Sequence, residues 1–262
     1  MRYFFHIGFD GFNYLGWQKL PQTKGRNVQE TIEFNLSRIL KTDLAIVGCG
    51  RTDAHVHASQ FFFHVDIDKN WDFDLKSRLN MNLPKEIAVF DILQVDDSSH
   101  ARFSATERTY NYFIHTTKDP YLANISAYYT KESFDIDLMK KAASLLMNYE
   151  DYRALSKSIP ADRSTTCKVK AASLYADEFG GWFRFEISSN RFLNGMIRII
   201  VEKLLMIGRH TLSLSEFENY MVSKQKPAIN RLAFPQGLHL TKVTYPFMDI
   251  PTKSKILQSL TR

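Results

Sequence analysis

The run Leu44-Ala45-Ile46-Val47-Gly48-Cys49-Gly50-Arg51-Thr52-Asp53-Ala54-His55-Val56-His57-Ala58-Ser59-Gln60-Phe61-Phe62-Phe63 decides how the chain is read. Its ends are apolar and predict two strands. Its middle holds two glycines, one cation, one carboxylate and two histidines. Gly48 and Gly50 open backbone angles closed to other residues and allow a ligand to approach closely. Arg51 and Asp53 are two apart, so in an extended segment they point the same way. A carboxylate set between apolar strands is costly unless paired or used, which makes Asp53 the first catalytic candidate. His55 would point away from Asp53 if the loop stays extended.

Upstream, residues 2–9 alternate weakly and predict a strand, followed by a turn-rich segment from Asp10 to Gln18. Trp17 reads as packing under a loop. Lys24 and Arg26 are available to phosphate. Asn27 with Glu30 forms a capping-box-like start. Val28, Ile32, Leu36 and Ile39-Leu40 then keep an apolar stripe to about Lys41. Downstream, Trp71 to Asn82 predicts a helix stopped by Pro84, and Ile87 to Val95 a strand. Strand, helix, strand, strand, helix, strand is a ferredoxin-like order.

The second half opens on Tyr110, Tyr112 and Ile114, which alternate and share one strand face. An aromatic there suits stacking on a base, although Tyr112 reads better as core. Helices follow over 134–149, 196–207 and 214–221, with strands over 165–174 and 182–187. The helix 196–207 is almost wholly apolar and is expected to stop at Gly208. Its Arg198 asks for a partner, and Glu202 four residues on could compete for it. The expected fold is α+β: two ferredoxin-like α/β subdomains sharing a mainly antiparallel sheet, with the active cleft between them. The expected boundaries are 1–103 for the N-terminal domain, 104–247 for the C-terminal domain and 248–262 for a polar tail.

Several of these segments resemble one family. Gly50-Arg51-Thr52-Asp53-Ala54 with Val56-His57-Ala58 closely resembles the Gly-Arg-Thr-Asp-Ala-Gly-Val-His-Ala loop of the tRNA pseudouridine synthase A family, departing at His55. Asp10 to Gln18 resembles its Asp-Gly-Thr-x-Phe-x-Gly-Trp-Gln opening. His100 to Tyr112 resembles its His-Ala-Arg-Phe-Ser-Ala and Arg-x-Tyr-x-Tyr run. The stretch from Phe192 resembles its Phe-Leu-x-x-Met-Val-Arg-Asn helix, departing at Ile199 and Glu202. Phe234 to Leu240 resembles its closing strand. The resemblance implies an isomerase that converts uridine to pseudouridine at tRNA positions 38, 39 and 40 in the anticodon arm. It implies catalytic roles for Asp53, Tyr110 and Arg198, and substrate contacts from Arg51, Thr52, Arg108 and Tyr110. Asp53 would come from the first half and Tyr110 and Arg198 from the second. It also implies a homodimer on tRNA, and the chemistry calls for no cofactor and no metal.

Composition agrees with that direction. The chain has 262 residues, a net charge of +6 and a pI of about 9.1, which mildly favours a polyanionic partner. Apolar runs fall short of the ~20 residues that span a bilayer, so no membrane segment is expected. Cys49 and Cys167 make no metal or disulfide pattern, which fits a cytoplasmic setting. Cys49 reads as a small packed residue. Two other functions stay open from the residues. Asp53, His55, His57 and His64 could serve a metal-dependent hydrolase, with His57 otherwise structural and His64 on a strand surface. The departures at His55, Ile199 and Glu202 keep a catalytically silent RNA-binding paralogue in view.

Overall fold

The computed structural model describes residues 1–19, 25–68, 70–130, 134–158, 164–177, 180–227 and 231–254. Lys24 lies outside them. The structure is mixed α and β with a mainly antiparallel arrangement of strands. The chain divides into two compact units: Met1–Thr106 with His239–Arg262, and Glu107–Leu238. The described residues 239–254, expected to close the second domain and to begin the polar tail, therefore group with the first unit.

In the first unit β1 (Arg2–Phe9), α1 (Val28–Leu40), β2 (Val47–Gly48), β3 (His57–Asp66), α2 (Leu75–Asn82) and β4 (Ile87–Val95) follow in the expected order. β1 is antiparallel to both β3 and β4, and β2 is antiparallel to β3. That is the 4-1-3-2 neighbour order of a ferredoxin-like unit. β9 (Leu238–Thr244) adds a parallel contact at His57↔His239 and Ala58↔Leu240.

Both faces of β1 and β3 are covered, which is why Phe61-Phe62-Phe63 is apolar without alternation. On one face Phe5 stacks on Phe63 at 4.7 Å and Trp17 packs on Phe61 at 4.2 Å. On the other, His6 stacks on Phe62 at 4.8 Å, and Tyr245 meets Phe4 and Phe62 edge-on at 5.4 Å. Gln60, fully buried, ties this second layer down: its amide donates to the Ile250 carbonyl and its carbonyl accepts from Val243 N–H.

Asn27 caps α1 by accepting from Glu30 N–H at 2.8 Å, and its amide reaches the Glu30 carboxylate at 3.0 Å. The strand expected over 44–47 shrinks to the two residues of β2. The backbone just before it is bonded by α1 side chains instead: Ser37 Oγ accepts from Leu44 N–H, and Glu33 accepts from Ile46 N–H. His64 is not on a surface. It is 5% exposed, and its Nδ1 accepts from Ala101 N–H at 3.1 Å.

The second unit holds β5 (Glu107–His115), β6 (Ala127–Tyr128), α3 (Ile136–Leu145), β7 (Val169–Ala176), β8 (Trp182–Ser189), α4 (Met196–Gly208) and α5 (Leu214–Ser223). β8 lies antiparallel between β5 and β7. α4 is nearly all core, including Ile199 in place of the family's asparagine. Gly208 is the last helical residue rather than a left-handed stop. Its close neighbour is Met139 of α3, whose sulfur would lie 2.5 Å from an added Cβ. α5 starts with a full capping box, Ser213 with Glu216.

Candidate active site

The loop from Gly48 to Val56 is built on the Asp10–Trp17 segment by backbone contacts. Trp17 N–H donates to the Thr52 carbonyl at 3.2 Å, and His55 N–H donates to the Tyr14 carbonyl at 3.1 Å. The two segments lie so close that side chains are excluded between them. A Cβ on Gly11 would stand 1.9 Å from the Val56 carbonyl oxygen. One on Gly16, whose φ is +97°, would stand 2.4 Å from the Thr52 oxygen. A Cβ on Gly48 would press into the Trp17 ring at 2.6 Å. Trp17, 2% exposed, is thus the floor of the loop.

Asp53 begins a tight turn: its carbonyl accepts from Val56 N–H at 3.3 Å. The third turn residue, His55, has φ +65°. A type II turn demands the left-handed region at that place, usually met by glycine. The loop therefore is not extended through His55. Asp53 and Arg51 are exposed, whereas Thr52 is buried and its Oγ1 has no hydrogen-bond partner. An exposed carboxylate is ready to meet a ligand without opening the core.

His57 lies beneath the turn, 3% exposed, as the structural residue expected. Its Nδ1 is 3.1 Å from both Gly11 N–H and an Asp10 carboxylate oxygen, and its ring stacks on His239 at 4.5 Å. Asp10 was not singled out by its sequence. Its i+2 bond to Phe12 N–H at 2.9 Å is the Asx-turn signal that an Asp-Gly pair offers. His55 Nδ1 bonds the Phe12 carbonyl. Among the described residues no three His, Cys, Asp or Glu side chains come together as a metal site. Cys49 is fully buried, and burial pushes the Cys167 thiol up to about 11, far from a reactive thiolate.

The second unit places Arg108 and Tyr110 on β5 and Arg198 on α4. Tyr110 is 8% exposed and meets Phe192 edge-on at 5.2 Å. Arg108 donates to the Asn190 carbonyl at 3.1 Å. Arg198 Nε donates to the Ala233 carbonyl at 2.7 Å, and Ala233 N–H returns a bond to the Arg198 carbonyl at 3.1 Å. Tyr112, read as core, is fully buried and donates to the Phe234 carbonyl at 2.7 Å. Burial pushes its phenol well above the ordinary value; Tyr129 adds to this and Arg198 opposes it.

A family model described as tRNA pseudouridine synthase matches residues 142–246. The chain is 37% identical over 251 residues to a tRNA pseudouridine synthase A of Parabacteroides distasonis, covering 94% of this chain and 96% of that one. It is 35% identical over 264 residues to the protein of that name in Bacteroides thetaiotaomicron, covering 99% and 97%. For the one in Porphyromonas gingivalis the identity is 33% over 248 residues, covering 94% and 97%. The chain belongs to the tRNA pseudouridine synthase A family. Pseudouridine synthases are isomerases. Among the described residues no helix is long and apolar enough to cross a membrane.

Proposed function

We propose that this protein isomerises uridine to pseudouridine at positions 38, 39 and 40 of the tRNA anticodon arm, with Asp53 as the catalytic carboxylate. The observation that carries the reading is the exposed Asp53 at the head of a turn, on a loop fixed by Trp17, Gly11 and Gly16. The reaction breaks the C1′–N1 bond, turns the uracil and joins C1′ to C5. The C5 hydrogen leaves as a proton and N1 regains one, so no electron carrier is needed. Asp53 supplies the negative charge that assists departure of the base.

A target in the anticodon arm must leave its stack, at a cost of a few kcal/mol. Arg51, exposed beside Asp53, grips phosphate or enters the vacated space. Thr52 and Arg108 contact the substrate. Tyr110 stacks on the uracil, and Arg198 supplies a cation to the reaction. The protein works as a homodimer in the cytoplasm. Net charge of +6, with Arg26, Arg51 and Arg102 exposed, supports binding to a polyanion. Affinity for tRNA should therefore fall steeply with salt, and a flat response would remove the electrostatic part of this reading.

Release of tritium from C5-labelled uridine in tRNA is the direct test, since only formation of the C1′–C5 bond expels that hydrogen. Release confined to the anticodon arm is the expected result. A purified protein that binds tRNA but releases none would be the silent paralogue.

A further inference from the structure

The turn at Asp53 carries one side chain that the isomerisation does not call for. His55 sits at the place of the turn where φ is +65°. Glycine meets that angle at no steric cost, and the family's motif has glycine there. Histidine enters the left-handed region more readily than most residues but still uncommonly. Trp17 N–H and His55 N–H join the two segments through backbone bonds, and the ring adds a further link, to the Phe12 carbonyl, together with its own exposed surface.

That surface has a defined chemistry. Nδ1 bonds the Phe12 carbonyl. A carbonyl oxygen only accepts, so Nδ1 carries the proton, and in the neutral ring Nε2 is an acceptor. The ring is exposed and leans on Phe12 at 5.7 Å and 50° between planes. Phe12 itself replaces the threonine of the family's opening motif, so two departures from the motifs touch each other. Together they set an aromatic edge and one fixed acceptor two residues from the carboxylate.

We infer that His55 is a specificity-determining residue, which meets the nucleotide flanking the target uridine. Nε2 accepts a hydrogen bond from an exocyclic amine of the flanking base, and the Phe12–His55 pair packs against that base. Uracil lacks such an amine, so a flanking adenine, cytosine or guanine is preferred over a flanking uracil. This rests on the isomerase reading above and extends it to substrate choice.

The test uses full-length tRNAs that differ only in the nucleotides beside the target, with tritium release giving kcat and KM for each. One net hydrogen bond corresponds to a preference of about tenfold or less in kcat/KM. The wild type should show that preference. His55→Gly and His55→Asn, both compatible with the turn, should lose it through KM, while kcat falls by less than about threefold. The asparagine variant keeps the test valid if the glycine variant folds poorly. Equal substrate ratios in wild type and both variants would overturn this inference while leaving the isomerase reading intact. A folded, tRNA-binding variant with kcat lost on every substrate would also overturn it, by placing His55 in the chemistry. Wild-type protein inactive on every tRNA would remove the isomerase reading and this inference with it.

Discussion

Asp53 heads an exposed turn, whereas Arg198 springs from a helix whose neighbours are almost all in the core. The carboxylate is placed by other residues' backbones: Trp17 and His55 N–H groups, and two glycines that let the segments touch. The guanidinium is placed by its own bonds, holding the Ala233 carbonyl near the buried Tyr112 and half-buried Tyr129 phenols. The difference separates chemistry from folding in one unit and merges them in the other. Asp53 lies on an exposed turn, whereas the Arg198 charge also anchors the chain segment at Ala233.

The largest effect expected from that contrast is at Asp53. Asp53→Asn should lower pseudouridine formation by about 10⁴-fold or more, while stability stays within about 0.5 kcal/mol of wild type. Tritium release together with urea unfolding reads both numbers. Equal release from variant and wild type would end the role given to this carboxylate. Arg198→Met should lower activity by about 10²–10³-fold. Unlike the change at Asp53, it should also cost about 1–3 kcal/mol, because the Ala233 carbonyl loses its donor. A variant as stable as wild type would break the comparison. Gly11→Ala tests the backbone side of it. Its methyl group must displace the Val56 carbonyl, and a shift of about 1 Å in the Asp53 loop is enough to cost ~10²-fold in rate. Wild-type turnover in that variant would show that the loop is not held by this contact.

The last effect belongs to pH and is spread over more than two units. Burial, with Arg2 and His100 adding, pushes His64 from 6.5 down to about 4. Below 6.5 the unfolded chain takes up a proton that the native state refuses. Stability should therefore fall as pH drops from 6.5 toward about 4, with a slope of at most about 1.4 kcal/mol per pH unit from this group. His64→Asn keeps an acceptor for Ala101 N–H and should flatten the slope; an unchanged pH profile by thermal unfolding would contradict the assignment.

Much of the first unit was legible. Asn27 and Glu30 mark a helix start by chemistry local to four residues, and the β1 and β4 patterns are equally local. What failed to read was decided by partners far away in sequence. Leu44 and Ile46 are β-prone, but α1 side chains took their N–H groups before a ladder could. His64 looks polar on paper and is buried because Ala101 satisfies it. β9 follows the second unit in sequence, and contacts across some 180 residues, among them the parallel pairing of His57 with His239 and the bond of Val243 N–H to Gln60, return it to the first. At the site, the glycines and Asp53 stood out as residue types. The floor supplied by Trp17 was readable as packing, whereas the turn that fixes Asp53 was hidden by a histidine where glycine would have announced it. The capping box at Ser213 and Glu216 was there to be read from its spacing.

The return of the chain at His239 also orders events in time. A ribosome delivers residues in sequence, at about 5–20 per second. The first unit's second aromatic layer, built from Tyr245 and Phe247, cannot close until every residue of Glu107–Leu238 has been made. The unit that begins first is thus completed last. Through the seconds between, Phe4 and Phe62 lack the Tyr245 ring that covers them in the finished fold.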